Sequence, residues 1–502
     1  MADTLLALLQ GADDAPAIGA PDRQPLTHAG LRGLMSHTAG VLNGIGIGRG
    51  DRVAIVLPNG PEMAAAFIAI AAGATTCPLN PAYRAEEFEF YLSDLGARAL
   101  VVMEGVETPA RGAAEKLGIT LLELVPGGAA GSFTLRGGTP GNAARPGLAE
   151  TDDVALVLHT SGTTSRPKIV PLSHANLCAS ARHIGRALAL TPDDTCLNIM
   201  PLFHIHGLIA ATLSSLAAGG QVVCAPGFNA LKFFATLDAV RPSWYTAVPT
   251  MHQAILERAK RNAEVIARAR LRLIRSSSAS LPPQVMTELE AVFGCPVLES
   301  YGMTEATHQM TSNPLPPRPR KPGSVGIAAG PEVGIMDEEG ALLPQGSLGE
   351  IVIRGPNVTR GYENNPDANL KGFAVGWFRT GDQGSLDEEG FLRITGRLKE
   401  IINRGGEKVS PLEVDEVLMD HPSVQQVVTF AVPHAKLGEE VGAAVVLREN
   451  CACGEAELRD FARVRLAEFK VPRHVVFLDE IPKGATGKLQ RIGLAAKLGL
   501  GA

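Results

Sequence analysis

Short apolar runs alternate with longer stretches rich in alanine and leucine over the first 330 residues of the chain. The short runs, which are rich in β-branched residues, read RVAIVL, ARALVVM, DVALVLHT, GGQVVCAP, LRLIRSS and CPVLES. Strand-sized runs separated by helix-sized segments are typical of βα units that assemble into parallel sheets. Pro61 and Ser173 stand directly before two helix-sized segments, where they suit a first turn and an N-cap. The pattern therefore predicts an α/β fold.

The pattern changes beyond residue 330, where short strands alternate with turns rich in glycine and proline, as in GEIVIRGPNVTRGY and GFLRITGR. From about residue 398 a mixed segment of helices and strands follows, with enough apolar residues for a small core of its own. We therefore predict a large N-terminal domain, residues 1–396, with stacked βα subdomains and a small β-rich subdomain. A small α+β domain, residues 397–502, completes the chain.

Composition narrows the class of protein. The chain has 502 residues, 45% of them apolar, which exceeds a single core and makes a small binding module a poor fit. Its formal net charge is −6, and no long basic run is present. Nucleic acid and anionic membrane surfaces therefore lack the electrostatic footprint that they require. We expect an enzyme that acts on small molecules, and the oligomeric state stays open.

Cysteine usage and the N-terminal segment bear on the compartment. Seven cysteines are scattered along the chain, with Cys451 and Cys453 as the only close pair, and this spacing fits reduced thiols. The first twenty residues carry three aspartates instead of the basic start and apolar core of a signal peptide. The most apolar later run, Met63 to Ala74, is too short to span a bilayer. We expect a cytoplasmic protein.

One polar segment, TSGTTSRPK, combines hydroxyl groups, a glycine and two cations in nine positions. Its residues are Thr160, Ser161, Gly162, Thr163, Thr164, Ser165, Arg166, Pro167 and Lys168. Backbone N–H groups, hydroxyl donors and a cation without bulky apolar side chains predict a polyphosphate site. The segment does not match the pattern of a P-loop NTPase. Taken alone, it is also compatible with a solvated turn of serine and threonine residues.

Four further motifs follow the loop along the chain, and they read ESYGMTEATH, WFRTGD, GRLKEIINRGGEKVSPLEVD and PKGATGKLQR. Together with the loop they resemble, in order and spacing, the adenylate-forming superfamily of acyl-CoA synthetases, luciferases and peptide-synthetase adenylation domains. The resemblance covers nearly the whole chain. It implies that ATP and a carboxylic acid form an acyl-AMP with release of pyrophosphate, and that a thiol such as coenzyme A then displaces AMP.

The resemblance also implies the residues that bind the nucleotide. In it, the loop holds the β- and γ-phosphates, Thr304 binds the α-phosphate and Glu305 helps to bind Mg²⁺, a hard cation that prefers oxygen ligands. Tyr301 stacks on adenine, while Asp382 and Arg397 reach the ribose. The other positions that match the family at this site are Ser278, Glu299, Ser300, Gly302 and Met303. Without the resemblance, Asp382 would be a turn aspartate and Tyr301 a core aromatic.

Residues near the C-terminus complete the implied machinery. Lys488 matches the family lysine that reaches the reacting carboxylate and the α-phosphate, and His204 matches a residue near the acyl-AMP. Lys399 matches a hinge about which the small, mobile C-terminal domain rotates between the two half-reactions. After that rotation Gly405 and Gly406 are expected to leave room for the pantetheine arm of coenzyme A.

The positions that resemble the acid pocket are polar here. They include His206, Ser280 and His308, where a pocket for a fatty or aromatic acid is expected to be apolar. Imidazoles and hydroxyls can pair with a second carboxylate, although core histidines satisfied by the backbone remain an alternative. Phrases such as RSSSASL and TEATHQMTSNPLP look especially like the oxalate–CoA ligases of plants and fungi. Ile169 departs from the glycine that is common in this family.

Oxalate is therefore the expected acid, with ATP, Mg²⁺ and coenzyme A as the expected cofactors and co-substrates. A CoA ligase for another short-chain, medium-chain or aromatic acid shares the ATP motifs and stays an alternative. Two further possibilities are an adenylation domain that serves a separate carrier protein and a nucleotide sensor without catalytic activity. The sensor would have little reason to retain Glu305, Asp382 and Lys488 together.

Overall fold

The computed structural model describes residues 3–160, 167–484 and 488–500. Within these ranges the strands form four sheets, two large and two small. The two large sheets are mostly parallel, with antiparallel strands at their edges. The α/β fold predicted from the alternation of apolar runs is confirmed.

The chain opens with two strands that join one edge of the larger sheet, β1 (Pro16–Ala20) and β2 (Arg23–Thr27). A seven-stranded sheet follows. Its strands are β3 (Arg52–Val56), β4 (Thr75–Pro78), β5 (Ala99–Met103), β6 (Thr120–Pro126), β7 (Phe133–Gly137), β8 (Val154–Thr160) and β9 (Lys168–Ser173). Their spatial order is β7-β6-β5-β3-β4-β8-β9. The predicted polyphosphate loop therefore connects β8 to β9, and the sequence pattern had not indicated β9.

The larger sheet has nine strands. After β1 and β2 it contains β10 (Thr195–Asn198), β11 (Gln221–Cys224), β12 (Trp244–Ala247), β13 (Leu273–Ser277), β14 (Val297–Met303), β15 (His308–Ser312) and β16 (Ile327–Ala328). The spatial order is β16-β15-β14-β13-β12-β10-β11-β1-β2. Because β12, β13 and β14 are parallel neighbours, the residues at their carboxyl ends meet at one edge, where ligands of α/β proteins commonly bind.

Two smaller sheets follow in the chain. The first is antiparallel and contains β17 (Glu332–Met336), β18 (Gly349–Arg354), β19 (Phe373–Ala374), β20 (Trp377–Leu386) and β21 (Leu392–Arg397). The second contains β22 (Ile402–Arg404), β23 (Glu407–Val409), β24 (Val424–His434), β25 (Gly438–Leu447) and β26 (His474–Phe477). Buried apolar clusters of its own support the second sheet. The domain division after residue 396 and the hinge at Lys399 stay predictions.

Helices cover the sheets on both faces. They are α1 (Leu5–Leu8), α2 (His28–Gly44), α3 (Pro61–Ala71), α4 (Ala85–Leu95), α5 (Pro109–Lys116), α6 (His174–Ala187), α7 (Ser214–Ala217), α8 (Phe233–Val240), α9 (Pro249–Ala259), α10 (Ala263–Arg268), α11 (Pro283–Phe293), α12 (Pro366–Gly372), α13 (Pro411–Met419), α14 (Glu455–Arg463) and α15 (Leu494–Lys497). In the described part of the chain, none of these helices has the length and apolar character needed to cross a membrane.

Helices α3 and α6 lie between the two large sheets. Helix α3 contacts β3 and β4 on one side and β1 and β11 on the other, and all of its residues are buried. Its sequence PEMAAAFIAIA suits this place because small alanine side chains allow both sheets to approach closely. Pro61 begins α3, and the Ser173 hydroxyl accepts the Asn176 N–H at the start of α6, as the sequence predicts. The two helices thus join the large sheets into one core.

Replacing Ile169 by glycine is expected to destabilise the fold. The Ile169 side chain is 5% exposed and packs with Val157 and Cys77 beneath the seven-stranded sheet. Removing a buried aliphatic side chain costs about 2–5 kcal/mol, and glycine adds backbone entropy to the unfolded chain. Chemical unfolding of Ile169→Gly should therefore show a loss of about 3–5 kcal/mol, against about 1 kcal/mol for the control Ile169→Val. Equal stabilities of the two variants would contradict the packing role.

Candidate active site

A tight hairpin carries the ESYGMTEATH motif. Strands β14 and β15 are antiparallel, and a single 3-10 turn over Thr304–Ala306 connects them. A Cβ at position 302 would lie 1.8 Å from the His308 carbonyl oxygen, so only Gly302 fits there. Thr307 and His308 have positive φ angles of 49° and 93°. Strain of this kind is typical of functional sites, and here it holds the turn and His308 in a fixed relation.

Asp382 connects two residues predicted to contact the nucleoside. The Tyr301 hydroxyl donates a hydrogen bond to one carboxylate oxygen, and Arg397 Nε lies 3.0 Å from the other. Asp382 in β20 is also the direct strand partner of Arg397 in β21. Burial raises the pKa of Asp382, while the Arg397 charge acts in the opposite direction. The structure thus brings together the three residues that the resemblance assigns to adenine and ribose.

Glu305 is held beside a cation and a tyrosine. Its side chain is buried, and Oε1 accepts a hydrogen bond of 2.8 Å from the Tyr362 hydroxyl. Lys168 Nζ lies 4.3 Å from the centroid of the Tyr362 ring, a cation–π arrangement. Burial raises the pKa of Glu305, and Tyr362, Arg397 and Lys168 oppose the shift. A fixed carboxylate beside the predicted phosphate site fits Mg²⁺, which proteins often bind through one carboxylate and substrate phosphates.

Lys488 reaches the same place from the C-terminal part of the chain. Burial and the Arg397 charge lower the pKa of Lys488 to about 8, while Asp382 and Glu305 oppose the shift. Lys488 therefore lies close to three residues that the resemblance assigns to nucleotide and Mg²⁺ binding.

We expect the rate of acyl-AMP formation to fall as the pH rises through about 8. The ammonium form of Lys488 is the one that can stabilise negative charge, and this form is lost above its pKa. Pyrophosphate release, measured as kcat/KM over a pH range of roughly 6 to 10, checks this expectation. In Lys488→Arg the fall in kcat/KM should occur at a higher pH than in the wild type, because a guanidinium stays protonated. A fall at the same pH would assign the titration to another group.

The predicted phosphate loop is described only at its ends. Thr160 and Lys168 are paired across the hairpin of β8 and β9. The other predicted loop residues, Ser161, Gly162, Thr163, Thr164 and Ser165, lie outside the described residues. Next to the loop, His159 Nε2 lies 3.0 Å from Asp94 Oδ2. The proximity of Lys168 to Glu305 is consistent with a phosphate site that begins at the end of the loop.

Two histidines and a serine form a polar cluster at the carboxyl edge of the nine-stranded sheet. The His206 and His308 rings are 5.0 Å apart between centroids. His206 Nδ1 lies 3.0 Å from Ser278 Oγ, and His206 Nε2 lies 2.6 Å from Thr246 Oγ1. Burial, followed by the neighbouring charges, lowers the pKa of both histidines well below its usual value, so both are neutral at pH 7. The structure thus brings these predicted polar residues together, and their role in binding the acid stays a prediction.

Arg275 lies behind this cluster, and sequence reasoning missed it. Its side chain is fully buried in β13, 3.5 Å from His206 Nε2, 3.4 Å from His308 Nδ1 and 3.2 Å from Gln309 Oε1. Within residues 3–160, 167–484 and 488–500, no carboxylate forms an ion pair with Arg275. Burial lowers its pKa to about 9, which leaves the side chain charged at pH 7. A signal was available in the arginine inside the apolar run LRLIRSS.

Local backbone structure sets the position of His206. This residue begins a π-helix, His206–Leu213, which is a rare element that often occurs at functional sites. A Cβ at Gly207 would lie 2.4 Å from the Pro201 carbonyl oxygen, so the close approach of the two segments requires glycine. The Asn198 side chain donates to the Gly207 carbonyl oxygen at 3.2 Å. These contacts hold the first turn, and with it the imidazole, against the end of β10.

The other predicted acid-site residues differ in their placement. His204 Nδ1 accepts the His206 backbone N–H at 3.3 Å, and burial together with the Lys488 charge lowers the pKa of His204 to about 3. It therefore lies between the histidine cluster and Lys488 as a neutral group. Ser280 is exposed in the loop after β13. Of the two serines, Ser278 is the one that contacts His206.

The predicted nucleotide residues at the end of β14 have structural partners. Glu299 is buried, its Oε1 accepts the Leu281 N–H at 2.8 Å, and burial raises its pKa to about 8. Ser300 donates to Ser312 Oγ at 3.2 Å, and Met303 lies opposite His308. These contacts anchor the loop after β13 and the hairpin, and direct roles in ATP binding stay predictions.

The segment expected to contact coenzyme A is a hairpin turn. Gly405 and Gly406 connect β22 to β23, both have positive φ angles, and both are exposed. A two-residue turn of this kind needs φ angles that glycine adopts without strain. Burial lowers the pKa of Lys168, and the Lys399 charge acts in the same direction, which places the predicted hinge near the phosphate site. The pantetheine contact and the hinge role stay predictions.

A second cluster of metal-ligand residue types lies on the C-terminal segment. His421 Nε2 is 3.9 Å from Cys453 Sγ and 3.6 Å from Glu457 Oε1. The Ser423 backbone N–H donates to His421 Nδ1 at 3.3 Å, so the neutral imidazole carries its proton on Nε2. That proton faces the thiol and the carboxylate. The Ser423 N–H, the Cys453 thiol and the Glu457 carboxylate thus give His421 partners within the protein.

Comparison with known proteins agrees with this geometry. The chain matches the AMP-binding enzyme family over residues 8–363 and the C-terminal domain of AMP-binding enzymes over residues 413–488. It is 47% identical to a protein named oxalate–CoA ligase from Arabidopsis thaliana, with 97% of each chain covered. It is 43% identical to an oxalate–CoA ligase from Saccharomyces cerevisiae, covering 88% of this chain and 86% of that one.

The fold of the chain also matches that of a solved structure. The ATP-bound crystal structure of MatB from Rhodopseudomonas palustris superposes with a TM-score of 0.89, at 33% identity and with 99% of each chain covered. The chain belongs to the AMP-binding enzyme family. It is an AMP-forming acid–CoA ligase, with ATP, coenzyme A and a carboxylic acid as substrates.

Proposed function

We propose that the protein activates oxalate with ATP to oxalyl-AMP and then transfers the oxalyl group to coenzyme A. One observation carries this proposal. His206, Ser278 and His308 form one cluster, with the buried cation Arg275 behind them and no carboxylate of the described residues to neutralise it. A buried charge without a partner costs several kcal/mol, so an anionic group of the substrate is its natural counterion.

The pocket chemistry disfavours an apolar acid. Arg275, Thr246 and Gln309 are fully buried at the far side of the histidine cluster. An alkyl or aromatic tail against the cluster would leave polar groups without partners, at a cost of about 1–3 kcal/mol for each group. Oxalate instead presents a second carboxylate there while the first one reacts. Similarity to two proteins named oxalate–CoA ligase supports the same acid.

In the first half-reaction, a carboxylate oxygen of the acid attacks the α-phosphorus of ATP, and the bond to the pyrophosphate oxygen breaks. We assign Lys488 to the negative charge that develops between the two reactants, with Thr304 and Arg397 near the α-phosphate. Charge stabilisation by donors that are already in place is the largest contribution in such sites. Tyr301 and Asp382 hold the nucleoside. Mg²⁺ bound at Glu305 would neutralise charge on the phosphates.

In the second half-reaction, the thiol of coenzyme A attacks the carbonyl carbon of oxalyl-AMP. The new C–S bond replaces the C–O bond to AMP, and the thiol proton passes to solvent. We assign rotation about Lys399 to the change between half-reactions, because Lys488 must leave the site before the thiol can enter it. Gly405 and Gly406, which are small and exposed here, would then line the path of the pantetheine arm.

A panel of acids tests the proposed substrate. AMP and pyrophosphate release should be measured with coenzyme A and with oxalate, malonate, acetate, octanoate or 4-coumarate. We expect oxalate to have the highest kcat/KM. In His308→Ala, kcat/KM for oxalate should fall by about tenfold to a hundredfold, because a hydrogen bond to a charged group is worth about 1.5–3 kcal/mol. The KM for ATP should change much less.

The control is His434→Ala, which removes an exposed histidine far along the chain in β24. It should leave both kinetic constants unchanged. A strong preference for octanoate would overturn the oxalate proposal and leave the ligase class intact. Equal losses of oxalate use and of ATP affinity in His308→Ala would make His308 a structural residue.

A further inference from the structure

We propose that Arg275 is a positioning residue that fixes the tautomers of His206 and His308, so that His308 offers an N–H to the acid and His206 leaves the Ser278 hydroxyl free to donate to it. The proposal rests on the acid site described above, where these two rings form one cluster. Arg275 lies beyond the rings and does not need to touch the substrate. The nitrogen of each ring that faces Arg275 determines where that ring carries its proton.

The chemistry of the guanidinium group sets the direction of each contact. Arginine has only donors, and it faces His206 Nε2 at 3.5 Å and His308 Nδ1 at 3.4 Å. Both distances are long for hydrogen bonds, but the charge decides the outcome. A ring N–H aimed at a cation is repelled, whereas an unprotonated ring nitrogen is attracted. His206 therefore carries its proton on Nδ1, and His308 carries its proton on Nε2.

The neutral state of both rings makes the tautomer important. Burial lowers the pKa of His206 and of His308, and the adjacent Arg275 charge adds to the effect. A neutral imidazole has a single N–H, and the other nitrogen only accepts. For His308, an N–H on the wrong nitrogen would leave a lone pair toward the carboxylate and repel it. For His206, an unprotonated Nδ1 would take the Ser278 hydroxyl proton that the acid needs. The tautomers thus decide whether the site attracts or rejects an anion.

Thr246 extends the effect of Arg275 on the His206 side. Arg275 lies 3.5 Å from Thr246 Oγ1, which therefore accepts from the guanidinium. The Thr246 hydroxyl proton is then free to donate to His206 Nε2 at 2.6 Å. His206 Nδ1–H in turn donates to Ser278 Oγ at 3.0 Å. The Ser278 hydroxyl proton is left to donate to the acid, so the order of donors runs from the buried cation to the pocket.

Gln309 holds the arginine on the His308 side. Its Oε1 accepts from the guanidinium at 3.2 Å, and its Nε2 donates to the Ala329 carbonyl oxygen at 3.0 Å. The amide is therefore fixed with its oxygen toward Arg275. Nε2 of His308 is separated from Nδ1 by Cε1, so an N–H on Nε2 points in a different direction from the nitrogen that faces Arg275. Arg275 faces Nε2 of His206 but Nδ1 of His308. The two rings therefore hold opposite tautomers, and both arrangements favour binding of an anion.

Nitrogen NMR tests the proposal without any substrate. In wild-type protein labelled with ¹⁵N-histidine, His206 should show the shifts of an Nδ1–H tautomer and His308 those of an Nε2–H tautomer. Single variants, His206→Gln and His308→Gln, assign the signals. The opposite tautomer at either residue in the wild type would overturn the proposal, and the variants serve only to assign the two signals.

Two substitutions then distinguish the effect of Arg275 on both histidines from the effect of Thr246 on His206. Arg275→Met should convert both rings to tautomer mixtures and lower kcat/KM for oxalate by about tenfold to a hundredfold, with little change in the KM for ATP. Thr246→Val should affect His206 alone. Arg270→Met, at an exposed arginine of the preceding loop, is the matched control and should change nothing. Unchanged tautomers in Arg275→Met would show that other contacts set them.

The outcomes also separate this proposal from the proposed function. If the predicted tautomers are found but another acid is preferred, the positioning role of Arg275 is supported and the proposal of oxalate as the substrate is rejected. If oxalate is preferred but His206 carries its proton on Nε2, the substrate stands and the role of Arg275 falls. Arg275→Lys adds a further comparison, because an ammonium group cannot face both rings with the planar fork of arginine, and it should restore at most one tautomer.

Discussion

Lys488→Ala is expected to abolish acyl-AMP formation while sparing the transfer of a preformed acyl group to coenzyme A. Lys488 is surrounded by Arg397, Asp382 and Glu305 in the described orientation. It is the cation that the resemblance assigns to the meeting of an anionic carboxylate and an anionic phosphate. Loss of one such donor from a prepared site typically costs about 10²–10³ in rate, and we expect at least about 10³ for a full charge.

The two half-reactions must be measured separately. Exchange of labelled pyrophosphate into ATP reports the first, and consumption of coenzyme A with synthetic oxalyl-AMP reports the second. The first should fall by at least about 10³ in the variant, and the second should stay within about fivefold of wild type. Lys483→Ala is the matched control, since Lys483 is an exposed lysine of the same segment that pairs with Glu480. Equal losses in both half-reactions would argue that Lys488 supports the fold.

Asp382→Asn should weaken ATP binding by about a hundredfold. The Asp382 carboxylate joins the Tyr301 hydroxyl to Arg397, and it is placed to accept both ribose hydroxyls. An asparagine offers one acceptor oxygen instead of two and removes the negative charge between Arg397 and Lys488. Loss of one charge-assisted hydrogen bond, worth about 1.5–3 kcal/mol, gives the expected factor. Calorimetric titration with ATP measures the change directly.

A matched carboxylate shortly after the same strand provides the control. Asp387 follows β20, is partly exposed and pairs with Lys321, so Asp387→Asn should leave ATP affinity unchanged. The preference of Asp382→Asn for oxalate over other acids should also stay as in wild type, since the acid pocket lies elsewhere. A loss of stability without a change in ATP affinity would contradict the nucleoside role.

Local signals predicted most of the fold. The β-branched runs gave the parallel strands, and Pro61 and Ser173 marked the starts of α3 and α6. Strand β9 was missed because Lys168 and Pro171 do not resemble strand residues. Its pairing with β8 and the burial of Ile169 stabilise it instead. A short stretch of sequence gives little information about contacts that form only when the sheets assemble.

The same limit applies to the site. His206 and His308 are 102 positions apart, and only a resemblance to known enzymes suggested that they share a pocket. Arg275 and Tyr362 lie in the segments LRLIRSS and GEIVIRGPNVTRGY, but nothing there singled them out, although both contact predicted site residues. An arginine in an apolar strand and a tyrosine in a glycine-rich turn have ordinary structural explanations. The importance of Arg275 and Tyr362 follows from the residues that they contact, and only the three-dimensional structure shows those contacts.

The hairpin of β14 and β15 has a consequence for the order of events. Tyr301 and Glu305, which are predicted to bind the nucleotide and its Mg²⁺, and His308, which is proposed to contact the acid, are separated by only a few residues of strained backbone. A movement of the turn on nucleotide capture would carry the imidazole with it. Substrate choice and nucleotide recognition are therefore mechanically linked, and a redesign for bulkier acids would have to begin at Arg275 and Thr246 rather than at this turn.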